Sequence, residues 1–172
     1  MDEKRIKIAE SNFRNYLRDE LIKKVRFEDI VYQTYMRNAL ESLRVAEELF
    51  KNKTSSLWVV VSSYYSMFYI ASAYIYKKGY KTSGDIVHQI INESLIILAR
   101  HDLEKHFLEE YEEEKEKALS ASGNLLDKYE SEKTKRSMFQ YETTEVIKEA
   151  KANTSLERAK GFVSVIRQLL EK

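Results

Sequence analysis

The sequence has no cysteine and no proline, and only four glycines in 172 residues. Without cysteine there are no disulfides, thiolate nucleophiles, cysteine zinc sites or iron–sulfur clusters. Without proline and with so little glycine, the turn chemistry of a β architecture is missing, while abundant Glu, Lys, Leu and Ile favour helix. An all-α fold follows, and the length suits one domain with a real core. Neither charge sign dominates: 29 Lys and Arg face 28 Asp and Glu, so no strong global field points to nucleic acid or lipid. The charge is nevertheless uneven. Residues 101–130 carry ten acids against four bases and residues 131–172 nine bases against six acids. The opening MDEKRIKIAESNF lacks the apolar region of a signal peptide, and a cytoplasmic location is expected. Many Lys and Glu with no Cys are associated with thermophilic sources. No Gly-rich phosphate loop, Ser/His/Asp set or dinucleotide fingerprint is present.

Periodicity and punctuation predict six helical stretches. The first runs from about Glu3 to Lys24, with Ile6, Phe13, Leu17 and Leu21 in step. A second follows from Arg26–Asp29, with a stripe of Ile30, Tyr35, Leu40, Leu43, Ala46, Leu49 and Phe50. Thr54, Ser55 and Ser56 are N-cap candidates for the third, and Lys77-Lys78-Gly79 closes it. Thr82-Ser83-Gly84-Asp85 starts a fourth through Arg100, and Asp102 is expected to cap a long fifth. Thr154-Ser155-Leu156-Glu157 fits a capping box for the last, which continues through Phe162, Val165, Ile166 and Leu169.

The third helix contains LWVVVSSYYSMFYIASAYIY, residues 57–76, which is uncharged and long enough to span a bilayer. Its chemistry argues otherwise. Ser62, Ser63, Ser66 and Ser72 need other helices to face, and six tyrosines between Tyr64 and Tyr80 each need a hydroxyl partner. No second span exists to pack against it. It reads as the central helix of a bundle, buried on every side, with small residues at 62, 66 and 73 admitting close neighbours.

The string SSYYSMFYIASAYIYKKGYKTSGDIVHQIINESL resembles small stand-alone HEPN domains of the nucleotidyltransferase-associated type. Tyr64-Tyr65-Ser66-Met67-Phe68, Ala71, Ala73, Lys78-Gly79, Lys81, Ser83 and His88 match in order. Upstream, YMRNALESLRVAEELFKN resembles the family's opening helix. Downstream, KRSMFQYETTEVIKEAKANTSLERAKGFVSVIRQLLE resembles its closing segment. The resemblance covers about residues 30–172, making residues 1–26 an added N-terminal helix on a core of 27–172. It implies an up-and-down antiparallel helical bundle, commonly homodimeric with a cleft between subunits. It also implies RNA or nucleotide binding, a toxin–antitoxin setting or a nucleotidyltransferase partner protein; no cofactor and no membrane are expected.

Ribonuclease members carry Arg-x4–6-His, whose arginine holds the scissile phosphate while the histidine assists attack by the ribose 2′-hydroxyl. That chemistry uses a bidentate guanidinium and a near-neutral imidazole. Here the matching position reads Arg136-Ser137-Met138-Phe139-Gln140-Tyr141, with tyrosine in place of histidine. A phenol is a poor general base at neutral pH, yet it can donate to phosphate or stack on a base, so binding survives the substitution better than cleavage. Lys133 and Lys135, interleaved with Phe139 and Tyr141, suit single-stranded nucleic acid. The resemblance places a histidine at the cleft, here His88, with a structural role as the alternative, and Tyr65 is a further binding candidate. Arg100 and His106 also satisfy the spacing, at a displaced position between the fourth and fifth helices. Two rival expectations stand beside binding: a non-enzymatic interaction module, and a metal-independent ribonuclease.

Two further constellations read as ordinary structure. Asp85 and His88 share a helix face at i,i+3, but a di-metal bundle needs that motif twice, so a local contact is expected and no metal. The acidic run Glu109–Lys117 is expected to be a solvated face, with Glu113 and Lys117 paired at i,i+4.

Overall fold

A computed structural model describes the backbone of residues 2–84, 86–132 and 145–171, and the side chains of 2–84, 86–121 and 149–171. Along these residues the order is α1 (Glu3–Arg18), β1 (Ile22–Lys24), α2 (Asp29–Lys51), α3 (Ser56–Lys77), β2 (Tyr80–Thr82), α4 (Val87–Ala99), α5 (Lys105–Glu132) and α6 (Glu145–Leu170). The fold is an all-α bundle with one short antiparallel ribbon, in which Ile22 lies opposite Thr82 and Lys24 opposite Tyr80. No described helix is long and apolar enough to cross a membrane.

The ribbon corrects two expected boundaries. The first helix stops at Arg18, because the chain turns through Glu20 in the left-handed region (φ 58°) and then pairs as β1. Thr82 belongs to β2, so the fourth helix starts at Val87. The added N-terminal segment is therefore a helix plus a strand, tied to the core at both pieces.

Helix α3 is the hub, with α2, α6, α5 and α4 all packed on it. Ser55 caps it, accepting from the Trp58 amide, and Gly79 (φ 89°) supplies the left-handed residue beyond Lys78 that a side chain adopts only with strain. Ser66 and Ala73 are fully buried, and Ser66 and Ser72 donate to the Ser63 and Phe68 carbonyls of their own helix. Short side chains let neighbouring helices approach, and these two hydroxyls are satisfied within their own helix. Tyr64 meets His88 and Tyr74 meets the Leu98 carbonyl, so α4 runs in the same sense as α3, the chain having returned through β2. Helix α5 runs antiparallel to α6, with Phe107 beside Gly161 and Glu114 reached by Ser155.

Burial on every side does not hold for α3. Helices α2 and α4 both lean on it yet scarcely touch each other, which leaves a strip of α3 open between them. Trp58 is 51% exposed on that strip, and Tyr65 and Tyr69 are half-buried. In α2, Ile30 and Leu40 of the expected stripe are exposed as well.

Three local expectations at the other helices are overturned. Asp102 does not cap α5, since its carboxylate accepts from the Tyr74 hydroxyl at 2.5 Å and the Lys78 ammonium at 3.2 Å. Residues 154–157 lie inside α6: Thr154 donates to the Ala150 carbonyl and Ser155 to the Glu114 carboxylate. The acidic run is not simply solvated. Glu114 is fully buried, Lys117 pairs with it at 2.8 Å, and Glu113 pairs instead with Arg158 at 2.7 Å.

Candidate functional site

Four of the expected site residues, Lys133, Lys135, Arg136 and Tyr141, lie outside the described residues, as does Asp85. In sequence the first four fall between α5 and α6 and Asp85 between β2 and α4. His88 and Tyr65 are described, and they adjoin.

His88 stands in the first turn of α4 against the upper half of α3. Its Nδ1 lies 2.8 Å from the Tyr64 hydroxyl. Its ring is packed on Phe68 at 4.6 Å and meets Tyr65 edge-on at 5.8 Å, with the planes 85° apart. Tyr65 continues to Tyr69 at 6.1 Å, a step of one helical turn. Burial disfavours the imidazolium, and the Lys115 ammonium on α5 adds to that, so the His88 pKa is pushed below its ordinary value. Tyr64 is fully buried, and burial keeps it a neutral phenol far above its usual range. Behind it Tyr111, also fully buried, has no hydrogen-bond partner among the described residues, although Tyr64 is its electrostatic neighbour.

The outcome is a strip of rings, Trp58, Tyr65, Tyr69 and His88, set between α2 and α4. The α3 part carries no ionisable acid or base from Leu57 to Tyr76 other than phenols. In a chain with a third of its residues charged, such a partly open face is suited to contacts through ring faces and hydrogen bonds.

The displaced pair does not assemble. Arg100 donates to Glu10 of α1 at 3.0 Å and to the His101 ring at 3.2 Å. His106 lies 3.4 Å from Glu104 and stacks on Phe107 with ring centres 4.0 Å apart. Each group is committed to other partners, and no contact joins them.

Three polar clusters escaped the sequence reading. Arg5 of α1 holds Glu93 of α4 with two hydrogen bonds, at 2.7 and 3.1 Å, and Glu112 of α5 with two more, at 3.0 and 2.8 Å. Glu114 takes Ser155 at 2.5 Å and Arg158 at 2.9 Å, joining α5 to α6. At the opposite end of α3, a cleft of about 570 Å³ is lined by Tyr74, Lys77, Lys78, His101, Asp102 and Leu170. There Lys77 donates to the Leu170 carbonyl and Lys78 pairs with Asp102, so both ammonium groups are engaged. The partners named in these clusters are 24 to 107 residues apart in sequence, a separation that no local motif signals.

No curated protein matches this chain. The model of the HEPN domain matches residues 32–169, which begins inside α2, ends one residue short of the α6 terminus and leaves out α1 and β1. With three of its five core helices carried entire within that match and the other two nearly so, the chain belongs to the HEPN domain family.

Proposed function

We propose that this protein binds RNA or a nucleotide phosphate, with Arg136 as the principal phosphate ligand and Tyr141, Lys133 and Lys135 beside it. The observation that carries the reading is the partly open ring strip of Tyr65, Tyr69 and His88 along the central helix. Single-stranded nucleic acid is bound by cations on its phosphates and by rings under its bases, and the chain supplies both kinds of group. Family membership supports the same ligand class. In this reading the protein acts in the cytoplasm as a homodimer, in a toxin–antitoxin or nucleotidyltransferase-associated setting. Tyrosine at position 141 favours binding over strand cleavage, because no imidazole occupies that step of the motif.

The test is a labelled single-stranded RNA incubated with the protein in EDTA, followed by gel shift and by denaturing electrophoresis. Binding without cleavage is expected. Tyr65→Ala is expected to weaken binding about 5- to 150-fold, the equivalent of losing one stacked base at about 1–3 kcal/mol. Arg136→Ala is expected to weaken it and flatten its salt dependence. Cleavage that Arg136→Ala abolishes would replace this reading with a metal-independent ribonuclease. Absence of any RNA binding by the wild type would leave a protein-interaction module.

A further inference from the structure

The cleft at the C-terminal end of α3 shares no residue with the ring strip, and its walls carry polar groups that the bundle does not use up. Its volume is about 570 Å³, within the span of about 300–1,000 Å³ usual for small-molecule sites. Three elements build it. The end of α3 gives Tyr74, Lys77 and Lys78, the corner after α4 gives His101 and Asp102, and the end of α6 gives Leu169 and Leu170. Tyr74 and Leu170 are buried and Leu169 half-buried, whereas Lys77, Lys78, His101 and Asp102 are exposed. The cleft therefore has an apolar floor and a charged rim.

The rim is positioned by its own contacts. Tyr74 donates to Asp102 Oδ2 at 2.5 Å and Lys78 to the same oxygen at 3.2 Å, while the Lys78 ammonium lies 5.1 Å from the centre of the Tyr74 ring. The Tyr74 hydroxyl, and then Lys78, hold the Asp102 carboxyl below its ordinary range, so it is an anion at neutral pH. Lys77 donates to the Leu170 carbonyl. An ammonium has three protons to donate, and each lysine has used one of them on these partners. Asp102 Oδ1 has no partner among the described residues. Ammonium donors and a free carboxylate oxygen thus stand side by side above an apolar floor. A phosphate or a plain carboxylate satisfies the lysines but sets a second anion against Asp102. A plain amine satisfies Asp102 but faces two ammonium groups. A zwitterion satisfies both, and an apolar side chain on it covers Tyr74, Leu169 and Leu170.

We infer that this cleft binds a free α-amino acid with an apolar side chain, Lys77 and Lys78 taking its carboxylate and Asp102 Oδ1 its ammonium. The site goes beyond the RNA reading and does not rest on it, since it uses none of Arg136, Tyr141, Lys133 and Lys135.

The experiment is a titration of L-phenylalanine into the 15N-labelled full chain, read on backbone amide resonances. Two isosteres are run beside it: 3-phenylpropanoate, which lacks the amine, and 2-phenylethylamine, which lacks the carboxylate. Millimolar L-phenylalanine is expected to move the amides of Lys77, Lys78, Asp102 and Leu170. Each isostere is expected to bind about tenfold more weakly, the loss of one charge-assisted hydrogen bond. Asp102→Asn is expected to remove the preference for phenylalanine over 3-phenylpropanoate, and Lys78→Gln to weaken both, with circular dichroism confirming that each variant is folded. Unmoved amides at millimolar L-phenylalanine, or equal binding of 3-phenylpropanoate by the wild type, overturns the site, and neither reading needs a variant. A folded Asp102→Asn protein that keeps the preference overturns it as well. RNA binding without phenylalanine binding refutes this site and leaves the proposed function standing; phenylalanine binding without RNA binding does the reverse.

Discussion

Replacing Arg5 with alanine tests how the added N-terminal segment is fastened to the family core. The guanidinium makes four hydrogen bonds to two carboxylates, Glu93 and Glu112, which belong to different helices. The Glu93 side chain is 6% exposed and the Arg5 side chain 21%, so water replaces little of what is lost. Removing one partner from a fully buried pair costs about 3–5 kcal/mol, because the other charge stays behind without compensation. Glu112 is more open, at 28%, and Asn92 still donates to it, which places Arg5→Ala at the lower end of that range. About 3 kcal/mol corresponds to a fall in Tm of about 6–12 °C for a chain of this size. The assay is thermal unfolding by circular dichroism, run in a double-mutant cycle with Glu93→Gln. With the buried charge neutralised in advance, Arg5→Ala is expected to cost well under half as much. An equal cost in both backgrounds would show that Arg5 acts through its aliphatic packing, and the ion-pair reasoning would be refuted.

Two further outcomes follow from the buried groups. Glu114→Ala is expected to destabilise by about 2–4 kcal/mol, more than Ser155→Ala at about 1–2 kcal/mol, since the first strands Ser155, Lys117 and part of Arg158 while the second removes one donor; urea titration of both variants ranks them. His88 makes stability depend on pH. Its folded pKa is lowered, chiefly by burial, so the unfolded chain binds the proton more tightly. The contribution is complete above the unfolded value of about 6.5 and is lost as pH falls through the folded value, a slope below about pH 6.5 that His88→Phe should flatten.

The fold class was legible because it depends on what the chain lacks: without proline and with four glycines, hardly anything but helix was open to it. The central helix was legible too. A run of 20 uncharged residues with serines at spacings that face neighbours has few other uses. Family membership followed from the order of local strings, and the match to residues 32–169 agrees with it. Local punctuation was read correctly where it acts locally, as at Ser55 and Lys77-Lys78-Gly79. It misled at Asp102 and Thr154, where a residue suited to capping was taken up by a distant partner, Tyr74 in one case and a longer helix in the other.

What only the tertiary structure decided was which polar groups meet. Arg5 and Glu93 are separated by 88 residues and Tyr64 and His88 by 24, and nothing in either neighbourhood encodes the other. Sequence periodicity reports which face of a helix is apolar, because that is a property of one segment. The contact of Tyr64 with His88, the open strip on α3 and the engagement of Arg100 with Glu10 depend on how several segments pack, and packing is decided by all of them together.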